Sequence, residues 1–381
     1  MKKVLFITFG LGIGGPNPSL NAIYKYLRNH YDIHVFSIVH RNKVNEFSFE
    51  EVLLPEDTAL ASLFSNLYEQ KGLFRIQSLF YKTIRVFLSL WGVDFKLLLG
   101  RRIVRRLESE TNYDYIVAFM EGFATQFGSL FHSSNKVAWV HCNYNMYLPF
   151  GETEEEIYRQ YSRIVCVSKY TADLFCERYP SLKERTTAIY NLVDVPPLLS
   201  LSTEPIDDKR FSNKLFTILS VGRFHNVKRF REIPFIASQL KERGDCFCWY
   251  ILGPNTDKEE MLSYEANLKK YNVSDCVRWL GAKANPYPYF KAANLFVCIS
   301  ESEACPIVFN EAKVFGLPIV TTDFPSSYEF IHKDEGRIVC LSDIPKAISS
   351  YIDNPYKRDS LIGDPESNYE LIEQLHQLFN L

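Results

Sequence analysis

The 381-residue sequence predicts an α/β protein with parallel sheets that carry helices on both faces. Three observations carry this expectation. Short apolar runs alternate with helical patterns along the whole chain, as strand–helix–strand units do. The runs fall into two sets, separated by Val195-Pro196-Pro197 and a polar stretch, so the chain divides in two. Apolar residues make up 46% of the sequence and aromatics 15%, enough for two packed cores and too much for a disordered chain.

In the first set, strands are expected at Val4–Phe9, Ile33–Val39, Tyr115–Phe119, Lys136–Val140 and Arg163–Val167. In the second they are expected at Phe216–Val221, Cys246–Leu252, Val277–Leu280, Leu295–Ile299, Pro318–Thr322 and Gly336–Val339. The expected boundaries are a first domain over 1–197, a linker over 198–214 and a second domain over 215–365. A last helix over 366–381 follows Gly363-Asp364-Pro365, with a route back to the first domain open to it.

Charge and cysteine usage exclude several classes. A net charge of −2 argues against a dedicated nucleic-acid binder. Nine cysteines lie scattered without metal-ligand spacing and read as reduced thiols of a cytoplasmic protein. No Asp-x-Asp metal motif stands out. The opening VLFITFG resembles the apolar part of a signal peptide, but a Pro-Asn-Pro segment stands where a cleavage site would be, so a first strand is the better reading. No stretch reaches the ~18 uninterrupted apolar residues of a spanning helix.

Residues 71–106 are lopsided: Lys71, Arg75, Lys82, Arg85, Lys96, Arg101, Arg102, Arg105 and Arg106 face the single acid Asp94. They are interleaved with large apolar side chains. This is either a helix pair with a solvated basic face or a peripheral contact with an anionic membrane.

Two loops invite phosphate. Gly10-Leu11-Gly12-Ile13-Gly14-Gly15 satisfies G-x-G-x-x-G between a strand and a helix, where bare backbone N–H groups approach a phosphate. A dinucleotide enzyme also needs an acid after the second strand. Here that strand ends in His40-Arg41-Asn42-Lys43, a basic end that keeps an NADP-dependent oxidoreductase open. Pro16 and Pro18 crowd the expected helix start. The second loop is Val221-Gly222-Arg223-Phe224-His225-Asn226-Val227-Lys228. Gly222 permits close backbone approach, and Arg223 with Lys228 sets two cations on one loop, as a diphosphate requires.

A third element, Ser300-Glu301-Ser302-Glu303-Ala304-Cys305-Pro306, runs into a helix stopped by Gly316-Leu317-Pro318. Its first turn points the free N–H groups of Ile307 and Val308 outward. Glu303 and Glu311 flank them, and carboxylates are good acceptors from sugar hydroxyls. An anion site bracketed by hydroxyl-seeking groups describes a sugar nucleotide.

The pattern E-x7-E, Glu303–Glu311, resembles the signature of retaining glycosyltransferases of the GT-B fold in family 4. VGRFHNVK, ILGPNT and the stretch from RWLGAK through GLPIVTTD are similar to further family landmarks in the same order, as are AWVHCNY, VCVSKYTADLF and YNLVDV. The resemblance spans nearly the whole chain. It implies two Rossmann-like domains facing a cleft, and transfer of a sugar from a nucleotide-diphosphate sugar without a metal or other cofactor. A UDP-sugar comes before a GDP-sugar as the expected donor. The expected acceptor is a glycan or lipid-linked glycan of surface-polysaccharide assembly.

By position, the resemblance gives Arg223 and Lys228 the diphosphate, Glu311 the ribose and Glu303 the donor sugar. It brings Gly14, Gly15, Gly222, Ile307 and Val308 to the donor phosphates, and His141 to the reacting sugar. Ala304-Cys305 and Asn294 depart from the family pattern. A GT-B sugar-nucleotide epimerase would share the nucleotide site and turn over without an acceptor. A catalytically silent scaffold would bind its partner and release no nucleotide.

Overall fold

The computed structural model describes residues 1–11, 16–39, 49–50, 52–53, 58–64, 72–144, 154–355 and 369–379. The chain forms two compact units, Met1–Leu192 with Leu371–Leu381, and Val193–Glu370.

In unit 1 the strands are β1 (Lys2–Gly10), β2 (Tyr31–Val39), β3 (Val52–Leu53), β4 (Tyr115–Ala118), β5 (Lys136–Val140), β6 (Arg163–Cys166) and β7 (Thr186–Ala188). They pair in parallel in the order β3-β2-β1-β4-β5-β6-β7. Unit 2 holds β8 (Phe216–Val221), β9 (Phe247–Leu252), β10 (Val277–Gly281), β11 (Leu295–Cys298), β12 (Ile319–Thr322) and β13 (Gly336–Val339). Their order is β10-β9-β8-β11-β12-β13, again parallel. Both faces of such sheets are covered, which is why their strands read as unbroken apolar runs: every residue of Phe247–Leu252 and of Lys136–Val140 is buried.

Two strands escape the apolar-run reading. Thr186-Thr187-Ala188 is a half-exposed edge strand with nothing apolar to announce it, and its place is fixed by pairing Ile164 with Thr186. Val52–Leu53 is two residues long and also lies at an edge. Residues 198–214, read as a linker, begin inside the helix Val195–Leu201 and cluster with unit 2. Arg210 donates to the Trp279 and Leu280 carbonyls, and Lys283 meets Asp208 at 2.8 Å, so polar composition here marks a strap tied to β10.

Pro16 and Pro18 begin the helix Asn17–Leu27 instead of crowding it, since the first turn has no use for their missing N–H groups. Asn17 Nδ2 donates to the Gly10 carbonyl at 3.0 Å and ties that helix to the end of β1. The helix Tyr369–Leu378 packs on unit 1. Phe379, fully buried, packs against the rings of Phe6, Tyr31 and Tyr115, and its carbonyl accepts from the Tyr31 and Tyr115 hydroxyls at 2.9 and 2.8 Å.

In each sheet the order reverses beside the first strand, at β1/β4 and at β8/β11. Loops leaving the two strands there diverge to opposite faces, and the crevice beyond their C-terminal ends is where open α/β sheets take ligands.

Candidate active site

The unit 2 crevice gathers the second and third motifs. The loop after β8 is fixed by the loop after β9. Gly222 N donates to Leu252 O at 2.9 Å, Phe224 N to Pro254 O at 2.9 Å, and Thr256 Oγ1 to Phe224 O at 2.7 Å. Gly253 sits at φ +144, and a Cβ there would lie 1.7 Å from the Gly222 carbonyl oxygen, so two backbones touch at this point. Phe224, fully buried against Phe230, Tyr264 and Trp279, pins the loop. Its neighbour Arg223 is turned to solvent and forms no hydrogen bond or ion pair among the described residues.

Lys228 closes a turn at Asn226–Lys228. Its stem crosses Gly222 closely: a Cβ on that glycine would stand 3.4 Å from Lys228 Cε. Glu301 N donates to Val227 O at 2.8 Å and Arg229 meets Glu301 at 3.4 Å, which ties this turn to the loop after β11. The Lys228 ammonium is bound to Glu303 Oε1. Burial opposes the ammonium charge, but Glu303 outweighs it even with Arg223 repelling, so the Lys228 pKa is held above its ordinary value. Ser326 Oγ donates to the Glu303 carbonyl at 2.6 Å and steadies the glutamate's backbone.

The helix Ile307–Val314 starts from Pro306, which supplies no side-chain cap. Elsewhere Asp94, Ser168 and Asp257 cap their helices with side-chain oxygens. The Ile307 and Val308 N–H groups have no acceptor among the described residues and remain open to an anion. One turn on, Glu311 is half-buried. Burial pushes its carboxyl up to about 7, while the Tyr287 hydroxyl, donating to Oε1 at 3.3 Å, pulls the other way. Tyr287 stacks on Phe315 of the same segment.

Contacts in unit 2 therefore bring Gly222 and Lys228 to Glu303, with Arg223 on the same loop and with Ile307, Val308 and Glu311 on the helix that follows Glu303. Lys228 meets Glu303, and the same loops and helix carry Arg223, the two bare amides and Glu311, residue types suited to a diphosphate flanked by hydroxyls. Asn294, a departure from the family pattern, accepts from Thr217 N at 2.8 Å, a bond an amide oxygen makes as well as a carboxylate. Sequence reasoning missed Tyr287 and Ser326. The aromatic–proline alternation of Asn285-Pro286-Tyr287-Pro288-Tyr289 hinted at the first, and no pattern marked the second.

His141 lies in unit 1, just past β5. Its N–H donates to Glu121 Oε2 at 2.9 Å and its ring packs on Phe119. Burial drives its pKa down to about 3, so the ring is neutral at physiological pH, and Nε2 has no hydrogen-bond partner among the described residues. Glu121, not foreseen, stands beyond β4. Burial raises its carboxyl despite the His141 N–H and the Cys142 thiol. Gly14 and Gly15 lie outside the described residues.

Solved structures share this fold over the full chain. The chain is similar to HepE of Anabaena bound to UDP and glucose, with a TM-score of 0.69 at 16% identity over 100% of both chains. It is also similar to TarM of S. aureus in complex with Fondaparinux, alpha-GlcNAc-glycerol and UDP, with a TM-score of 0.71 at 13% identity over 100% of both. The fold is that of the GT-B class, two Rossmann-like domains with parallel sheets.

A model described as Glycosyltransferase Family 4 matches residues 13–195, and one described as Glycosyl transferases group 1 matches 202–372. The chain belongs to the GT-B glycosyltransferases of family 4. Among curated relatives it is 27% identical over 134 residues to the amylovoran biosynthesis glycosyltransferase AmsD of Erwinia amylovora, 35% of this chain and 36% of that protein. It is 24% identical over 212 residues to the O-antigen biosynthesis glycosyltransferase WbnH of Escherichia coli, 52% of this chain and 57% of that protein. The matches span about half or less of these relatives' length.

Proposed function

We propose that this chain moves a sugar, with retention of anomeric configuration, from a nucleotide-diphosphate sugar to a glycan or lipid-linked glycan during surface-polysaccharide assembly. The observation that carries the reading is the Lys228–Glu303 pair, formed between the loop that carries Arg223 and the segment that leads into the uncapped Ile307–Val314 helix with its Glu311. The UDP bound by HepE and TarM supports a uridine nucleotide, with a guanosine one as the other choice. The names of AmsD and WbnH support the polysaccharide setting.

In this reading the arriving diphosphate draws Lys228 from Glu303. That frees the Glu303 carboxylate to accept from sugar hydroxyls, while Glu311 accepts from the ribose. The bond from the anomeric carbon to the phosphate oxygen breaks as the acceptor oxygen bonds to the same carbon on the same face. The acceptor's proton passes to the departing phosphate. Arg223, Lys228 and the helix N–H groups stabilise the charge that builds there, which is the task a divalent cation performs elsewhere. Neutral His141 is assigned to the reacting sugar, with Nε2 as the atom that would meet it.

Melting the intact chain against a panel of sugar nucleotides, in chelator, tests this. A true donor at a hundred times its Kd stabilises by about 2.7 kcal/mol and raises the melting point by several degrees. A flat response to every UDP- and GDP-sugar would overturn the reading.

The Glu311 assignment has a pH signature. Only the ionised carboxylate accepts from two hydroxyls at once, so donor affinity should fall as pH drops below about 7, roughly tenfold per unit. For the fold the sign reverses: the raised pKa favours the protonated native state, and that contribution is lost as pH rises through about 7. Calorimetric titration between pH 5 and 8, on the order of three units, should show the slope in the native chain and not in Glu311→Gln. Glu311→Ala should bind donor weakly throughout, and an unchanged affinity contradicts the ribose contact.

A further inference from the structure

The helix Gly72–Ser89 carries two apolar stripes, and the core of unit 1 uses one of them. Tyr81, Ile84 and Leu88 pack against that core. Leu73, Ile76, Phe80 and Phe87 stand more than half exposed along another side, and the turn after the helix adds Leu90 and Trp91, exposed by 78% and 75%. Spacings of three, four and seven residues put the first four on one face. Soluble surfaces scatter single apolar residues, so a row of aromatic and branched side chains interrupted only by Thr83 needs an occupant.

Charge chooses among occupants. Arg75 and Arg85 on this helix, and Arg101, Arg102 and Arg105 on the adjoining helix Phe95–Glu110, are exposed and form no ion pair among the described residues. Asp94, the only acid between 71 and 106, is spent capping the Lys96 and Leu97 N–H groups. A second copy docking here would bring two basic faces together, whereas lipid phosphates neutralise them. No helix among the described residues is long and apolar enough to cross a membrane, so the row can lie on a bilayer but not span it.

We propose that the Gly72–Ser89 helix and its Leu90–Trp91 tip lie in the surface of an anionic bilayer, with the free arginines on lipid phosphates. The placement also orients unit 1. The helix Phe95–Glu110 runs back toward the start of β4, and Lys96 at its beginning sits over the Phe123 ring, just beyond the end of β4. The apolar tip therefore stands at the end of unit 1 where the β1/β4 crevice opens. A lipid-linked acceptor would reach that crevice without leaving its membrane. This last step rests on the transfer reaction proposed above; the bilayer contact does not.

The test is flotation of the intact chain with vesicles of phosphatidylcholine alone, or with about one-third phosphatidylglycerol. Binding is expected only to the anionic vesicles and should weaken with salt. Replacing Arg101, Arg102 and Arg105 together by Ala should lower partitioning about 100-fold. The triple change Phe80→Ser, Phe87→Ser and Trp91→Ser should lower it more than tenfold with an unchanged melting point.

Trp139 and Trp249 are buried and Trp279 is hydrogen-bonded inside unit 2, so a blue shift of tryptophan emission on binding should vanish in Trp91→Phe. Absence of anionic binding, arginine-independent binding to both vesicles, or a blue shift that persists in Trp91→Phe would each overturn the proposal. So would a dimer that the serine variant dissociates. Sugar transfer to a water-soluble acceptor should survive both variants, which separates failure of this surface from failure of the reaction.

Discussion

Lys228→Ala should lower turnover about 100-fold, the usual result of removing one charge contact made as a leaving group departs, equal to about 2.7 kcal/mol of barrier. The structure gives the variant a second effect. Lys228 pairs with a mostly buried Glu303, so its loss leaves a carboxylate without its cation and should cost stability as well. The two effects separate by melting the variant, and by measuring turnover at saturating donor well below its melting point.

Glu303→Gln completes the cycle. If Glu303 serves only to hold the lysine, Lys228→Ala with Glu303→Gln should be no slower than Lys228→Ala alone. If Glu303 also grips the donor sugar, the double variant should lose a further factor of ten or so, the scale of one charged hydrogen bond. A near-normal rate in Lys228→Ala would remove the phosphate clamp from the mechanism.

Gly253→Ala should be the most damaging conservative change in unit 2. A methyl at φ +144 is strained on its own account, and this one would fall 1.7 Å from the Gly222 carbonyl oxygen and 2.5 Å from its carbon. No side chain can swing aside, because the obstacle is backbone held by Gly222 N to Leu252 O. The loops after β8 and β9 must part by more than an ångström. The expected loss is about 3 kcal/mol, or roughly 6–12 °C in the melting of unit 2. Arg223 and Lys228 ride on the displaced loop, so donor binding should fail below the melting point too. Gly244→Ala is the control: that glycine has a positive φ but open space around it, so only the conformational strain remains. A melting point within a degree of the native chain for Gly253→Ala would refute the backbone contact.

Much of the architecture was legible because a parallel sheet leaves an imprint along the chain. Strands buried on both faces must be apolar throughout, as Phe247–Leu252 is, and the residues between them must cover the sheet. Edges leave no such imprint: Thr186–Ala188 forms because β6 offers it an unpaired backbone, a fact about neighbours and not about threonine.

The site divides the same way. Glu303 and Glu311 could be recognised from their spacing, because eight positions carry the chain from loop to helix. That Glu303 already holds Lys228 could not be, because the pair is 75 residues apart and joined only by the return of β11 beside β8. The neutrality of His141 was likewise hidden. An imidazole after a strand reads alike whether it is wet or packed on Phe119, and the packing sets its charge. Pro16-Asn17-Pro18 misled in the opposite direction, since prolines that obstruct a helix's middle are at home in its first turn.

The seat of Phe379 in unit 1 sets an order of events during synthesis. Residues 193–370 are contiguous and can close their core as they leave the ribosome, whereas the first unit, though translated earlier, waits for residues 371–381. Until residue 379 emerges, the Tyr31 and Tyr115 hydroxyls and the ring pocket beside Phe6 are uncovered. The half made first is thus the half finished last.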